Sequence, residues 1–180
     1  MGKIHLAIAQ NNSQIIYAHL MAERDPDGNH QYGIYRSDDG GATWSHQNQA
    51  PERPVYYYSN ITVDPNNDDT LWLPLLELHR SVDGGQNFHK MNMRHVHFDL
   101  HSLWINPNDI DHMIVSGDCG VNISFKGAKS WAATTLPIGQ FYEVSVDNQD
   151  PYNVIGGMQD TGTWRGPSRT YDEEGITNAD

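Results

Sequence analysis

The chain has 180 residues, with 11 Lys+Arg against 23 Asp+Glu and a formal net charge of −12. A length of this order suits one domain that buries roughly 70% of its unfolded surface. The charge points away from nucleic acid and toward cations, neutral sugars or basic peptides, and no stretch approaches the roughly 20 apolar residues of a membrane span, so membrane insertion is not expected.

The N-terminal Met1-Gly2-Lys3-Ile4-His5-Leu6-Ala7-Ile8 lacks the long apolar centre of a signal peptide and reads as a strand. Asp25-Pro26-Asp27-Gly28-Asn29 has the look of half a calcium loop. No bidentate Glu follows at the required place, so a long hairpin turn is the better reading. Ser37-Asp38-Asp39-Gly40-Gly41-Ala42-Thr43-Trp44 then recurs 44 residues later as Ser81-Val82-Asp83-Gly84-Gly85-Gln86-Asn87-Phe88. It recurs again, 43 residues on, as Ser124-Phe125-Lys126-Gly127-Ala128-Lys129-Ser130-Trp131. A second marker moves with it: Thr62-Val63-Asp64-Pro65-Asn66-Asn67, Trp104-Ile105-Asn106-Pro107-Asn108-Asp109, and Ser145-Val146-Asp147-Asn148-Gln149-Asp150-Pro151. Two markers at one period establish a repeat.

Each unit holds short β-type runs between turn residues, and helical periodicity is nowhere sustained. In the third unit the runs are 102–105, 112–116, 121–125 and 131–135. Four short strands in 40–45 residues predict an all-β chain of four-stranded β-propeller blades. About four blades are expected, at 1–50, 51–94, 95–136 and 137–180, in a single partial domain. The last lacks a recognisable outer strand, because the polar segment from Gly166 onward contains Gly and Pro.

The repeated turn has a mechanical explanation. Ser and Asp hydrogen-bond the amides of a tight hairpin, Gly supplies positive φ, and the aromatic packs between sheets. This pattern (Ser37, Asp39, Gly41, Trp44; Ser81, Asp83, Gly85, Phe88; Ser124, Trp131) resembles the Asp-box, or BNR, repeat of sialidases, sortilin-like propellers and xyloglucanase-type propellers. In the third unit Lys126 replaces the Asp and Ala128 the Gly. The stretches Asp99-Leu100-His101-Ser102-Leu103-Trp104, Gly117-Asp118-Cys119-Gly120-Val121 and Gly157-Met158-Gln159-Asp160-Thr161-Gly162-Thr163-Trp164 extend a resemblance to bacterial sortilin-type propellers, many of them labelled glycosyl hydrolase. The resemblance implies boxes on the face opposite the binding site, so Asp39 and Asp83 are expected to be turn residues, not catalytic ones. It also implies a longer, exported protein of which this chain is a part. Residues 171–180, an acidic tail, would continue into the next blade.

If the boxes mark the lower face, the upper face is built by loops leading into each first strand and by turns joining strands two and three. That places Tyr57, Asn60, His79, His101, Gln140, Tyr142 and Gln159 as candidate ligand-binding residues. His95-Val96-His97-Phe98-Asp99-Leu100-His101 would line one strand face with four potential ligands. Residues two apart are roughly 7 Å apart along a strand, so at most two would reach one ion. His97, Asp99 and His101 form the candidate metal set, suited to zinc-like divalent ions, although the fold requires no cofactor.

A glycoside hydrolase would draw its two carboxylates from Asp99, Asp118 and Asp160. Sialidase chemistry would also need an arginine cluster, and the seven arginines fall mostly beside box turns or in loops. Lone Cys119 forms no internal disulfide and sits in no nucleophile motif. The leading reading is a binding module for a glycan or peptide, with glycoside hydrolysis and a metal-dependent site as alternatives. Incomplete closure of a ring of blades predicts an open arc with sticky ends, a small closed ring, or self-association that completes a larger ring.

Overall fold

The computed structural model describes residues 2–21, 27, 32–52, 59–134 and 139–170. Tyr57, most of the 25–29 loop and the acidic tail lie outside them. The chain is all-β, and the described residues contain no helix. It divides into two compact units, 1–134 and 135–180.

The first unit holds three four-stranded antiparallel sheets, each a simple meander. The first sheet comprises β1 (Lys3–Ile8), β2 (Ile16–Met21), β3 (Gly33–Ser37) and β4 (Ser45–Asn48). The second comprises β5 (Thr62–Asp64), β6 (Asn67–Pro74), β7 (Leu78–Ser81) and β8 (His89–Lys90). The third comprises β9 (Leu100–Asn106), β10 (Asp109–Gly117), β11 (Gly120–Phe125) and β12 (Ala132–Ala133). The second unit is a three-stranded sheet of β13 (Phe141–Val146), β14 (Asn153–Met158) and β15 (Gly162–Pro167). No fourth strand follows it among the described residues.

Within the first unit, alternating side chains bury one face of each sheet against the next. Between the first and second sheets, Tyr17, Ile34, Leu71, Leu73 and Leu75 are almost fully buried. Between the second and third, Trp72, Leu78, Leu100, Met113 and Val115 fill the same role. Phe88 packs onto the first core and Trp131 onto the second. Trp44 remains 42% exposed and donates its indole N–H to the Gly41 carbonyl at 3.0 Å. The aromatic of each turn thus faces the preceding sheet, and the first sheet has no predecessor among the described residues of this unit.

Polar side chains lock the sheets at the repeat period. Thr62 donates to the Leu103 carbonyl at 3.3 Å, Asn66 to the Pro107 carbonyl at 3.2 Å, and Asn60 to the His101 carbonyl. Each spans 41 residues, so a side chain on one blade caps the equivalent carbonyl on the next. The turn after each first strand opens with an Asx hydrogen bond. Asp64, Asn106 and Asp147 accept from the amides two residues on, at 2.9, 3.0 and 3.1 Å. Asn12 does the same for Gln14 at 3.1 Å, which extends the second marker to the first blade.

The turns between third and fourth strands share one geometry. Ser81 donates to Asp83 at 2.7 Å and accepts the Gly85 amide at 3.0 Å, while Asp83 accepts the Asn87 amide at 2.9 Å and its side chain at 2.7 Å. Ser37, Asp39, Gly41 and Thr43 repeat this at 2.6–2.8 Å. In the third turn only the serine half survives: Ser124 accepts the Lys126 and Ala128 amides at 3.2 and 3.1 Å. Lys126→Asp is expected to restore the carboxylate's bonds to the Ser130 amide and hydroxyl. A net gain of about 1 kcal/mol would raise the melting temperature by about 2–4 °C, measurable by calorimetry.

Candidate ligand-binding site

Antiparallel order sends the turns between third and fourth strands to one end of each sheet of the first unit and the turns between second and third strands to the other. The turns between third and fourth strands bond to the region where first and second strands join, since Gly40, Gly84 and Gly127 donate to the carbonyls of Gln14, Asp69 and Asp111 at 2.9, 2.9 and 3.0 Å. The opposite end carries most of the candidate polar groups.

Residues 91–99 form its main loop. Val96 donates to the Met93 carbonyl at 2.9 Å, and His95 and Asp99 both take left-handed backbone conformations, with φ of +69° and +72°. The strand alternation expected across 95–101 therefore fails. The strand begins only at Leu100, and the two left-handed residues break the period-2 facing that would have aligned His95, His97, Asp99 and His101. The loop is drawn back onto the second sheet instead, with the Asp99 and Leu100 amides donating to the Leu76 and Leu75 carbonyls at 2.9 and 2.8 Å.

This path brings Asp99 and Asp118 together. The Asp118 amide donates to the Asp99 carbonyl at 3.3 Å, and carboxylate oxygens of the two residues lie within 4.8 Å. The approach depends on Gly117, where a methyl would collide with the Asp99 carbonyl. The His101 ring nitrogen Nε2 lies 2.7 Å from an Asp118 carboxylate oxygen, so that Asp118 orients the imidazole. His97 instead bonds its own neighbour, with Nδ1 2.9 Å from the Phe98 carbonyl, and stacks on the Phe98 ring at 4.2 Å.

The remaining sequence candidates fall in two places. His79 is buried, with Nδ1 3.6 Å from Glu52, whose other carboxylate oxygen accepts the Leu76 amide at 3.0 Å. Asn60 is occupied by the His101 carbonyl. In the second unit, the Tyr142 hydroxyl lies 2.5 Å from the Gln159 side chain, and the Gln159 amide donates to the Gln140 carbonyl at 3.1 Å. Asp160 sits in the turn between β14 and β15 with φ of +56°.

One feature was not visible from spacing. Beside the 91–99 loop lies a cavity of about 330 Å³ lined by Leu76, Met91, Met93, Val96, Phe98 and Leu100. Lys90, Arg94 and His97 stand at its walls with Glu77, which pairs with Lys90. From Gly84 through Phe98 the sequence contains no Asp or Glu, unusual in a chain of net charge −12. That acid-free window was the available signal.

No protein-family model matches the chain, and no curated protein sequence matches it. Solved structures do. A GH74 enzyme of Niastella koreensis superposes with a TM-score of 0.55 at 16% identity, over 91% of this chain and 28% of that one. An ancestral GH74 enzyme gives 0.57 at 18% identity, over 89% and 22%. YCF48 bound to a D1 peptide gives 0.52 at 11% identity, over 93% and 58%. The chain therefore spans about a quarter of the length of the GH74 enzymes. With the meandering sheets, these neighbours establish the β-propeller fold.

Proposed function

We propose that this chain is a binding module of Asp-box propeller type that takes a peptide at the loop-rich end of its second and third blades. The cavity carries this reading. Two thioethers and four other apolar side chains suit a peptide's apolar residue better than a sugar, whose hydroxyls would find few partners there. Arg94 is exposed and has no acid partner among the described residues, which suits a carboxylate on the ligand. The fold neighbour YCF48, solved with a D1 peptide, lends support.

A random peptide library displayed on phage would supply ligands, and fluorescence polarisation would rank them. Arg94→Glu is expected to weaken a selected peptide about tenfold or more, as loss of a charged contact does. Unchanged affinity in that variant, or selection of glycans but no peptides on parallel arrays, would overturn the reading.

A second reading is glycoside hydrolysis, favoured by the closeness of Asp99 and Asp118 and the hydrogen-bonded His101. Carboxylates this close fit a retaining mechanism better than an inverting one, which leaves roughly 6.5–9.5 Å for water. Turnover of a neutral polysaccharide, lost in Asp118→Asn, would establish it.

The outer face of β1 supports self-association. Ile4, Leu6 and Ile8 alternate along it and are 58, 63 and 57% exposed. Light scattering after size exclusion is expected to show a concentration-dependent oligomer that Leu6→Glu converts to monomer. A monomer at every concentration would remove this reading.

A further inference from the structure

Away from the loop-rich cavity, a histidine is poised between the first two sheets. His19 on β2 is fully buried, and its Nδ1 lies 2.9 Å from the Ser59 carbonyl oxygen. A carbonyl only accepts, so Nδ1 carries the proton and Nε2 presents a lone pair. Among the described residues that Nε2 has no hydrogen-bond partner, and neither does the buried hydroxyl of Ser59 itself. Two orphaned polar atoms in one place ask for a missing partner.

His5 on β1 pairs directly with His19 in the antiparallel register. Directly opposed residues share a sheet face with Cβ atoms about 4.5–5.5 Å apart, which puts both imidazoles on one face of this strand pair. Burial holds His19 down to about 4, opposed by the Ser59 bond and aided by His5. Burial and then the Lys3 charge lower His5 as well. Both rings are neutral near pH 7, the state in which imidazole binds metals.

We propose that His5 and His19 form a site for an imidazole-preferring divalent ion of the zinc or copper class. A metal-binding histidine usually donates its other N–H to a carbonyl or carboxylate, which fixes ring and tautomer as Ser59 does here. The site is separate from the Asp99, His101 and Asp118 group.

Zinc chloride titrated calorimetrically into the full chain at pH 7 tests it. The chain contains ten histidines, so the variants decide where the ion sits. The expected result is one equivalent bound, weakened about tenfold or more by His5→Asn and unaffected by His97→Ala. His5 is only partly buried, so its replacement should leave the fold intact, which circular dichroism would check. Long-range ¹⁵N imidazole spectra should show His19 Nε2 shifting with zinc. No binding, binding unchanged in His5→Asn, or binding lost in His97→Ala would overturn the proposal.

Discussion

Gly85→Ala is expected to destabilise the first unit by about 2–4 kcal/mol, lowering its melting temperature by roughly 5–15 °C. Two costs combine. Gly85 has φ of +88°, which an L side chain adopts at a penalty. Its new methyl would also stand 3.0 Å from Ile34 Cγ2 and 3.1 Å from Leu71 Cδ1. Both are fully buried in the core between the first two sheets and have little room to move. Gly41 separates the two costs, because it holds the same place in the first turn at φ of +94°. A methyl there would meet only Trp44 and Ile16, at 3.7 and 3.9 Å, which is ordinary contact. Gly41→Ala should therefore pay for the backbone alone, about 1–2 kcal/mol. Equal losses at the two positions, by urea denaturation, would show that packing against the first sheet contributes nothing. The chain already contains a third case. Ala128 occupies the equivalent place at φ of +64°, with its methyl buried in the second core.

Much of this architecture is legible in the sequence because turn chemistry repeats while surface residues vary. The Ser/Asp/Gly/aromatic turn and the Asp-Pro-Asn turn fix the period, and the period fixes the strands. The run expected at 102–105 lies inside β9, and that at 121–125 lies inside β11. What escaped depends on contacts between residues far apart in the chain. The Asx turn of the first blade reads Asn11-Asn12-Ser13-Gln14, with no Pro to mark it. The bend at 95–99 contains no Gly, Pro or Asn, yet His95 and Asp99 are left-handed there, where Val96 bonds back to Met93 and the Asp99 and Leu100 amides are anchored to Leu76 and Leu75. His19 reads as an ordinary core histidine until Ser59, 40 residues away, fixes its tautomer. The cavity likewise forms only when the 91–99 loop folds back on the second blade.

Acid should unfold the protein as pH falls from about 4 toward 2, with the turns held by Asp39 and Asp83 failing first. The Asn87 side chain, the Asn87 amide and the Ser81 hydroxyl hold the Asp83 carboxyl down to about 2. The Thr43 hydroxyl and amide, then Ser37, hold Asp39 at about 2 as well. In the second unit, hydrogen bonds from Asn153 lower Asp147. An unfolded aspartate titrates near about 3.9, so between these values the unfolded chain binds more protons than the native one. The stabilisation is thus fully present above about pH 4 and disappears as the native carboxylates protonate near pH 2. Urea unfolding at stepped pH should show stability rising with pH across that window, with a shallower rise in Asp83→Asn. Hydrogen exchange gives the local test, because the Gly41 and Gly85 amides bond to serines that the carboxylates hold in place. Ala128 bonds to Ser124 in a turn where Lys126 replaces the carboxylate. Protection at Gly41 and Gly85 should fall through the window before protection at Ala128 does. A simultaneous loss at all three would assign the acid sensitivity to global unfolding and not to the carboxylates of the turns.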